Sequence, residues 1–241
     1  MEGEVHNMTR KQSVKEGVMT GLPIMFGYLP IAITYGVLAN QIGMSMGEIV
    51  FMSVAVYAGA SQFMAVNMIA LGTGALEIIL ATFVLNFRHF ILNLSILNTW
   101  RPLNLKWKIP LSLGVTDETF AVASMNKERA KEAHAGMFYT ALLLVAYVSW
   151  VVGSFIGVLL GEVIPPALSQ SMGIALYAMF IALLIPSVKK ERRVGLIAIV
   201  AMFIHFICIQ LGMSTGWAII MGTIFGAGLG IVLFPREEAS V

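Results

Sequence analysis

The chain is a succession of apolar runs separated by short polar joints, and most of the runs are long enough to cross a bilayer. Spanning the ~30 Å hydrocarbon layer takes about 20 apolar residues in a helix. Lipid offers no partner to an unpaired backbone amide, so such runs must satisfy their hydrogen bonds within themselves. With 58% of its 241 residues hydrophobic and only 12% charged, the chain cannot hide this surface inside a water-soluble core. An all-α polytopic membrane protein is expected, with one transmembrane domain over 1–241. The polar residues 1–17 and the tail 235–241 are both expected on the cytoplasmic side. The first apolar run exceeds a signal-peptide h-region and reads as a retained helix. Cys208 is the single cysteine and lies in an apolar run, which leaves neither a disulfide framework nor a cysteine-based metal site. The four histidines make no metal signature, and no phosphate-cradling loop occurs, so no cofactor is expected. The cations sit in joints rather than in a basic groove interleaved with aromatics, so nucleic acid is not an expected partner.

Runs at about 18–39, 75–97, 136–160, 167–187, 194–212 and 216–234 read as full spans. The first contains Pro23 and Pro30, which withdraw backbone donors and are expected to kink it. Two further runs are interrupted: 48–71 at Gly59-Ala60-Ser61-Gln62, and 109–126 at Asp117-Glu118. Short cytoplasmic joints accumulate Lys and Arg. If every run crosses, there are eight spans, and Arg101, Lys106 and Lys108 fall outside. If both interrupted runs enter and return on their own side, every basic joint and both termini fall inside. Six full spans plus two re-entrant or broken elements is therefore the expected architecture, with eight spans as the alternative. Gly43-Met44-Ser45 and Gly212-Met213-Ser214 look alike and read as shared capping chemistry rather than a duplicated fold.

Polar residues inside such helices are where function is expected. Arg88 stands within Asn86-Phe87-Arg88-His89, in the middle of the third run. A central arginine costs roughly 2.5–3.5 kcal/mol on insertion scales, so it turns to a partner, a cavity or a substrate. Asn86, His89 and Asn93 share another face of that helix. Thr116-Asp117-Glu118-Thr119 reads either as an N-cap with acids complementing the helix dipole, or as carboxylates with a second task. Arg88 either neutralises one of these acids and holds the bundle together, or lines a substrate or proton path. Tyr57-Ala58-Gly59-Ala60-Ser61-Gln62-Phe63 combines small residues suited to close packing with polar groups. The amides of a half-helix starting near Ser61 could receive a carboxylate. His205 reads as a packing histidine. A hydrolase built from Ser61, His89 and Asp117 would need a nucleophile–base contact that no motif here specifies, so an enzyme is not expected.

These three ordered motifs, with Gly21-Leu22-Pro23, Pro30 and Tyr35-Gly36, resemble the AzlC family of branched-chain amino acid permeases, the large subunits of two-component exporters. The resemblance covers the first half of the chain. It implies export of hydrophobic amino acids across a bacterial plasma (inner) membrane, together with a small AzlD-type membrane subunit. On this reading Arg88 or the amides near Ser61 meet the substrate carboxylate. Asp117 or Glu118, with Asn86 or Gln62, hold its ammonium, and Tyr57 belongs to the same site. Phe63, Phe87 or Phe120 provide an apolar wall, and proton coupling falls to His89, Asp117 or Glu118. The alternative is a non-transporting structural subunit of a membrane complex.

Overall fold

The computed structural model describes residues 8–161, 163–165 and 174–234. The expected tail 235–241, residues 1–7 and the start of the run at 167–187 lie outside the described residues. Among those described, the elements are α1 (Arg10–Gln41), α2 (Met46–Ala55), α3 (Gly59–Ala70), α4 (Ala75–Thr99), α5 (Leu105–Ser112), α6 (Asp117–Met125), a 3-10 turn (Lys127–Lys131), α7 (Ala135–Gly161), α8 (Ile174–Lys190), α9 (Arg192–Gln210) and α10 (Thr215–Leu233). The protein is thus an all-α polytopic membrane protein. Helices α1, α4, α7, α9 and α10 are long and apolar enough to cross a bilayer. The two interrupted runs are each broken into two short helices, α2 with α3 and α5 with α6. Contacts divide the chain into two units, residues 1–62 with 86–172 and residues 63–85 with 173–241. Helices α3 and α4 each run from one unit into the other.

The first unit is organised on a parallel pair. Residues Gly17, Gly21, Gly36 and Asn40 of α1 meet Phe138, Leu142, Gly157 and Gly161 of α7, and each pair is separated by the same 121 positions. The helices therefore run side by side, in one direction and one register. Small residues make this possible, because packing in lipid rewards close approach rather than apolar burial.

Positions along α7 serve as a ruler for the broken elements. In α2, the Ile49 carbonyl accepts from Tyr35, Ser53 bonds Ser154, and the Val54 carbonyl accepts from Tyr147. The chain moves from the end of α7 toward its middle. It has turned back by Gln62, whose amide reaches Trp150 and Ser53 together. Nine residues of uninterrupted helix would instead separate positions 53 and 62 by about 13.5 Å.

The other element enters from the opposite end. Trp107 lies against Gly136, Gly114 against Leu143, and Thr116 reaches Tyr28, whose ring is 5.5 Å from that of Trp150. At Asn126 the chain is back at Tyr139, whose hydroxyl donates to the Asn126 carbonyl at 2.8 Å. The second element thus enters and returns at the end where α7 begins, and the first has turned back by Gln62.

This returns the basic joints to one end. Lys108 donates to the Arg101 carbonyl, and Trp100 packs on Tyr139. Arg129 bonds Glu132 at 3.0 Å and also pairs with Glu16 near the start of α1. Arg129 further lies over the Phe138 ring. The joints at 101–108 and 127–132 thus share the end of the unit where α1 begins.

In the second unit α9 and α10 pack antiparallel. Gly222, Gly226 and Gly230 meet His205, Ala201 and Ile197, so His205 packs beside a glycine of the facing helix. Met68, Ala81 and Ile220 form a small buried cluster. The two similar tripeptides do share capping geometry: Gly43 and Gly212 take φ of 90° and 81°, conformations that suit glycine. The N-caps that follow, Ser45 and Ser214, both use a glutamate. Glu48 closes a capping box on Ser45 within α2. Ser214 instead donates to Glu77 of α4, which also accepts the Trp217 amide at 3.0 Å. Glu77→Ala should lower the melting temperature by the loss of a cap, about 0.5–2 kcal/mol. Glu77→Gln retains an acceptor oxygen and should recover most of it. Thermal unfolding of the two variants in detergent checks this, and equal loss in both would refute the capping role.

Candidate functional site

The tips of the two broken elements converge on Tyr28. From one side comes Tyr57, with φ of 43°, a left-handed conformation uncommon outside glycine and one that strains the backbone. Its ring stands edge-on to Tyr28 and to Tyr147, with centroids 6.5 and 5.0 Å away. From the other side comes the start of α6. Thr116 caps it through a reciprocal exchange with Thr119, and Thr119 also ties back to the Gly114 carbonyl. Helices α3 and α6 therefore both begin at the tips, presenting N-terminal amides and the positive ends of their dipoles to the middle of the unit.

The two adjacent acids have separate partners. Asp117 pairs with Arg88 at 2.7 Å, and each side chain keeps just over a quarter of its exposure. Glu118 accepts from the Tyr28 hydroxyl at 2.6 Å, and the same hydroxyl bonds Thr116 at 2.6 Å. One phenol thus ties the cap and an acid of α6 to α1. Among the described residues the buried Arg88 Nε has no hydrogen-bond partner, nor do the buried carboxamide oxygens of Asn86 and Asn93. His89 Nδ1 lies 3.2 Å from the Asn86 carbonyl.

Other expected site residues serve the scaffold in this conformation. Gln62 is fully buried: its carbonyl accepts from the Ala58 amide and the Trp150 indole, and its amide donates to Ser53. Ser61 is also buried and donates to the Ala58 carbonyl. The backbone amide and carbonyl of Ala58, just before α3, are thus engaged by side chains of α3 itself. Phe120 is partly buried on α6, Phe87 is half exposed beside Phe90, and Phe63 is buried in the second unit.

Sequence reasoning did not single out Tyr28, Ser53, Trp150 or Ser154. The available signal was chemical: a phenol or indole in an apolar run needs a partner for its polar hydrogen.

The family model for the AzlC protein matches residues 23–164, which contain all of these groups. Among curated proteins, an uncharacterized membrane protein of Archaeoglobus fulgidus is 30% identical over 78% of this chain and 82% of its own. The inner membrane protein YgaZ of Escherichia coli is 30% identical over 83% and 86%. The branched-chain amino acid transport protein AzlC of Bacillus subtilis is 27% identical over 71% and 66%. No solved structure matches.

Proposed function

Because the chain belongs to the AzlC family, we propose that it is a transporter exporting branched-chain and other hydrophobic amino acids, proton-coupled, as the large subunit of a two-component complex. The observation that carries this reading is the Arg88–Asp117 pair, partly exposed where two interrupted elements meet. A free amino acid carries both charges of such a pair. Its carboxylate can take Asp117's place on Arg88 while its ammonium takes Arg88's place on Asp117, so the site opens and refills without leaving an uncompensated charge at depth. Proton coupling is assigned to Asp117 or Glu118, the latter held by a hydroxyl rather than a cation, and to His89, the residue that follows Arg88. The relative named for branched-chain amino acid transport supports the substrate class. Gathering of basic joints at one end supports cytoplasmic termini in a bacterial plasma membrane. The partner is a small AzlD-type membrane subunit.

Proteoliposomes holding the chain with and without that subunit test the reading by leucine counterflow. Saturable leucine exchange, accelerated by an imposed pH gradient, is expected with the subunit present. Absence of exchange under both conditions would overturn the transport role, and indifference to the gradient would remove the proton coupling.

A further inference from the structure

A cavity of about 440 Å³ lies between the two tips, lined by Val54, Val56 and Tyr57 on one side and by Leu111, Leu113 and Gly114 on the other, with α7 as its floor. Its size falls within the roughly 300–1,000 Å³ of small-molecule sites, which are mostly apolar with a few polar groups at the edge. No charged side chain lines it. The Tyr147 hydroxyl is engaged by the Val54 carbonyl.

Two connections join the cavity to the charged site. Tyr57 lines the cavity and stands against Tyr28, whose hydroxyl holds Glu118. Gly114 lines it and lies three residues before Asp117, and a Cβ there would approach Leu143 to 3.1 Å. The expected wall residues Phe63, Phe87 and Phe120 are not among its lining.

We propose that this cavity between the two broken elements receives the aliphatic side chain of the amino acid, so that Val54, Val56, Leu111 and Leu143 set substrate size. The inference rests on the proposed function, which places the charged ends of the amino acid at Arg88 and Asp117. The site then reads a substrate in two parts: a zwitterion at the ion pair, and a branched side chain directed past Tyr57 and Gly114.

Thr140 is exposed on the cavity floor, so Thr140→Trp fills the space without disturbing a packed core, and Val56→Trp fills it from the opposite wall. Binding of tritiated leucine to the purified two-subunit complex, competed with alanine, valine, leucine and methionine, is the measurement, with melting temperature recorded for each variant. Each methylene in an apolar pocket is worth about tenfold or more in discrimination, so both variants should lower the leucine-to-alanine preference by roughly that factor while retaining alanine binding. An unchanged preference in variants that still bind leucine overturns the cavity assignment and leaves the transport reading standing. No leucine binding by the unaltered complex overturns both.

Discussion

Leucine flux should fall by roughly ten- to a hundredfold when Arg88 is replaced by glutamine, the factor that corresponds to losing one charge-assisted hydrogen bond of about 1.5–3 kcal/mol. The stability loss should be smaller than the roughly 3–5 kcal/mol that follows removal of one partner from a fully buried ion pair. Both side chains keep more than a quarter of their exposure, so Asp117 is not stranded in a dry interior. These two quantities separate the competing roles of the pair. A cation that only holds the bundle together can be exchanged with its acid, so Arg88→Asp with Asp117→Arg should restore melting temperature. A site that receives a zwitterion in a fixed orientation is reversed by that exchange, because the substrate's ammonium then meets a cation at the start of α6 and its carboxylate meets an acid on α4. The expected result is recovery of stability without recovery of flux. Recovery of both in the swapped protein, or undiminished flux in Arg88→Gln, would assign the pair to structure alone.

That the two runs are broken was legible in the chain, but each break lies just before the expected residues: at 56–58, with Gly59-Ala60-Ser61-Gln62 forming the first turn of α3, and at 113–116, with Asp117-Glu118 opening α6 behind the Thr116 cap. The re-entrant course followed from a global argument, since only that path puts Arg101, Lys106 and Lys108 at the same end as the Lys127–Lys131 joint. What stayed hidden were partnerships between distant positions. Gln62 reads as a ligand group until Trp150, 88 residues on, claims its carbonyl oxygen. Glu77 invites comparison with Arg88 on its own helix, whereas its partners are 137 and 140 residues away. Tyr28 has no motif of its own, and its position at the meeting of the tips depends on how α1 packs. For the acids, the sequence left cap and function as alternatives. The structure joins them: the same first turn of α6 caps a helix, pairs with Arg88 and accepts from Tyr28.

That packing makes α1 and α7 the most sensitive seam in the first unit. A Cβ on Gly157 would stand 2.2 Å from the Ile33 carbonyl oxygen, and one on Gly36 would stand 2.2 Å from the Ser154 carbonyl oxygen. Neither obstacle is a flexible side-chain end, so the helices themselves must separate. Gly157→Leu should therefore abolish the folded protein or leave a fraction too unstable to purify, and Gly36→Leu should do the same from the opposite face. Gly27 lies on α1 with nothing within 4 Å of an added Cβ, and Gly27→Ala should be neutral or stabilising by about 0.5–1 kcal/mol through helix propensity alone. Yield of monodisperse protein and melting temperature across the three variants test the seam. Separation at Gly157 also pulls Ser154 from Ser53 and Trp150 from Gln62, groups now within 2.7 and 2.9 Å. Loss of the seam therefore releases the first re-entrant tip, and any surviving fraction should lose leucine binding before it loses helix content. Binding that persists in step with helicity would show that the tip holds its position independently of α1 and α7.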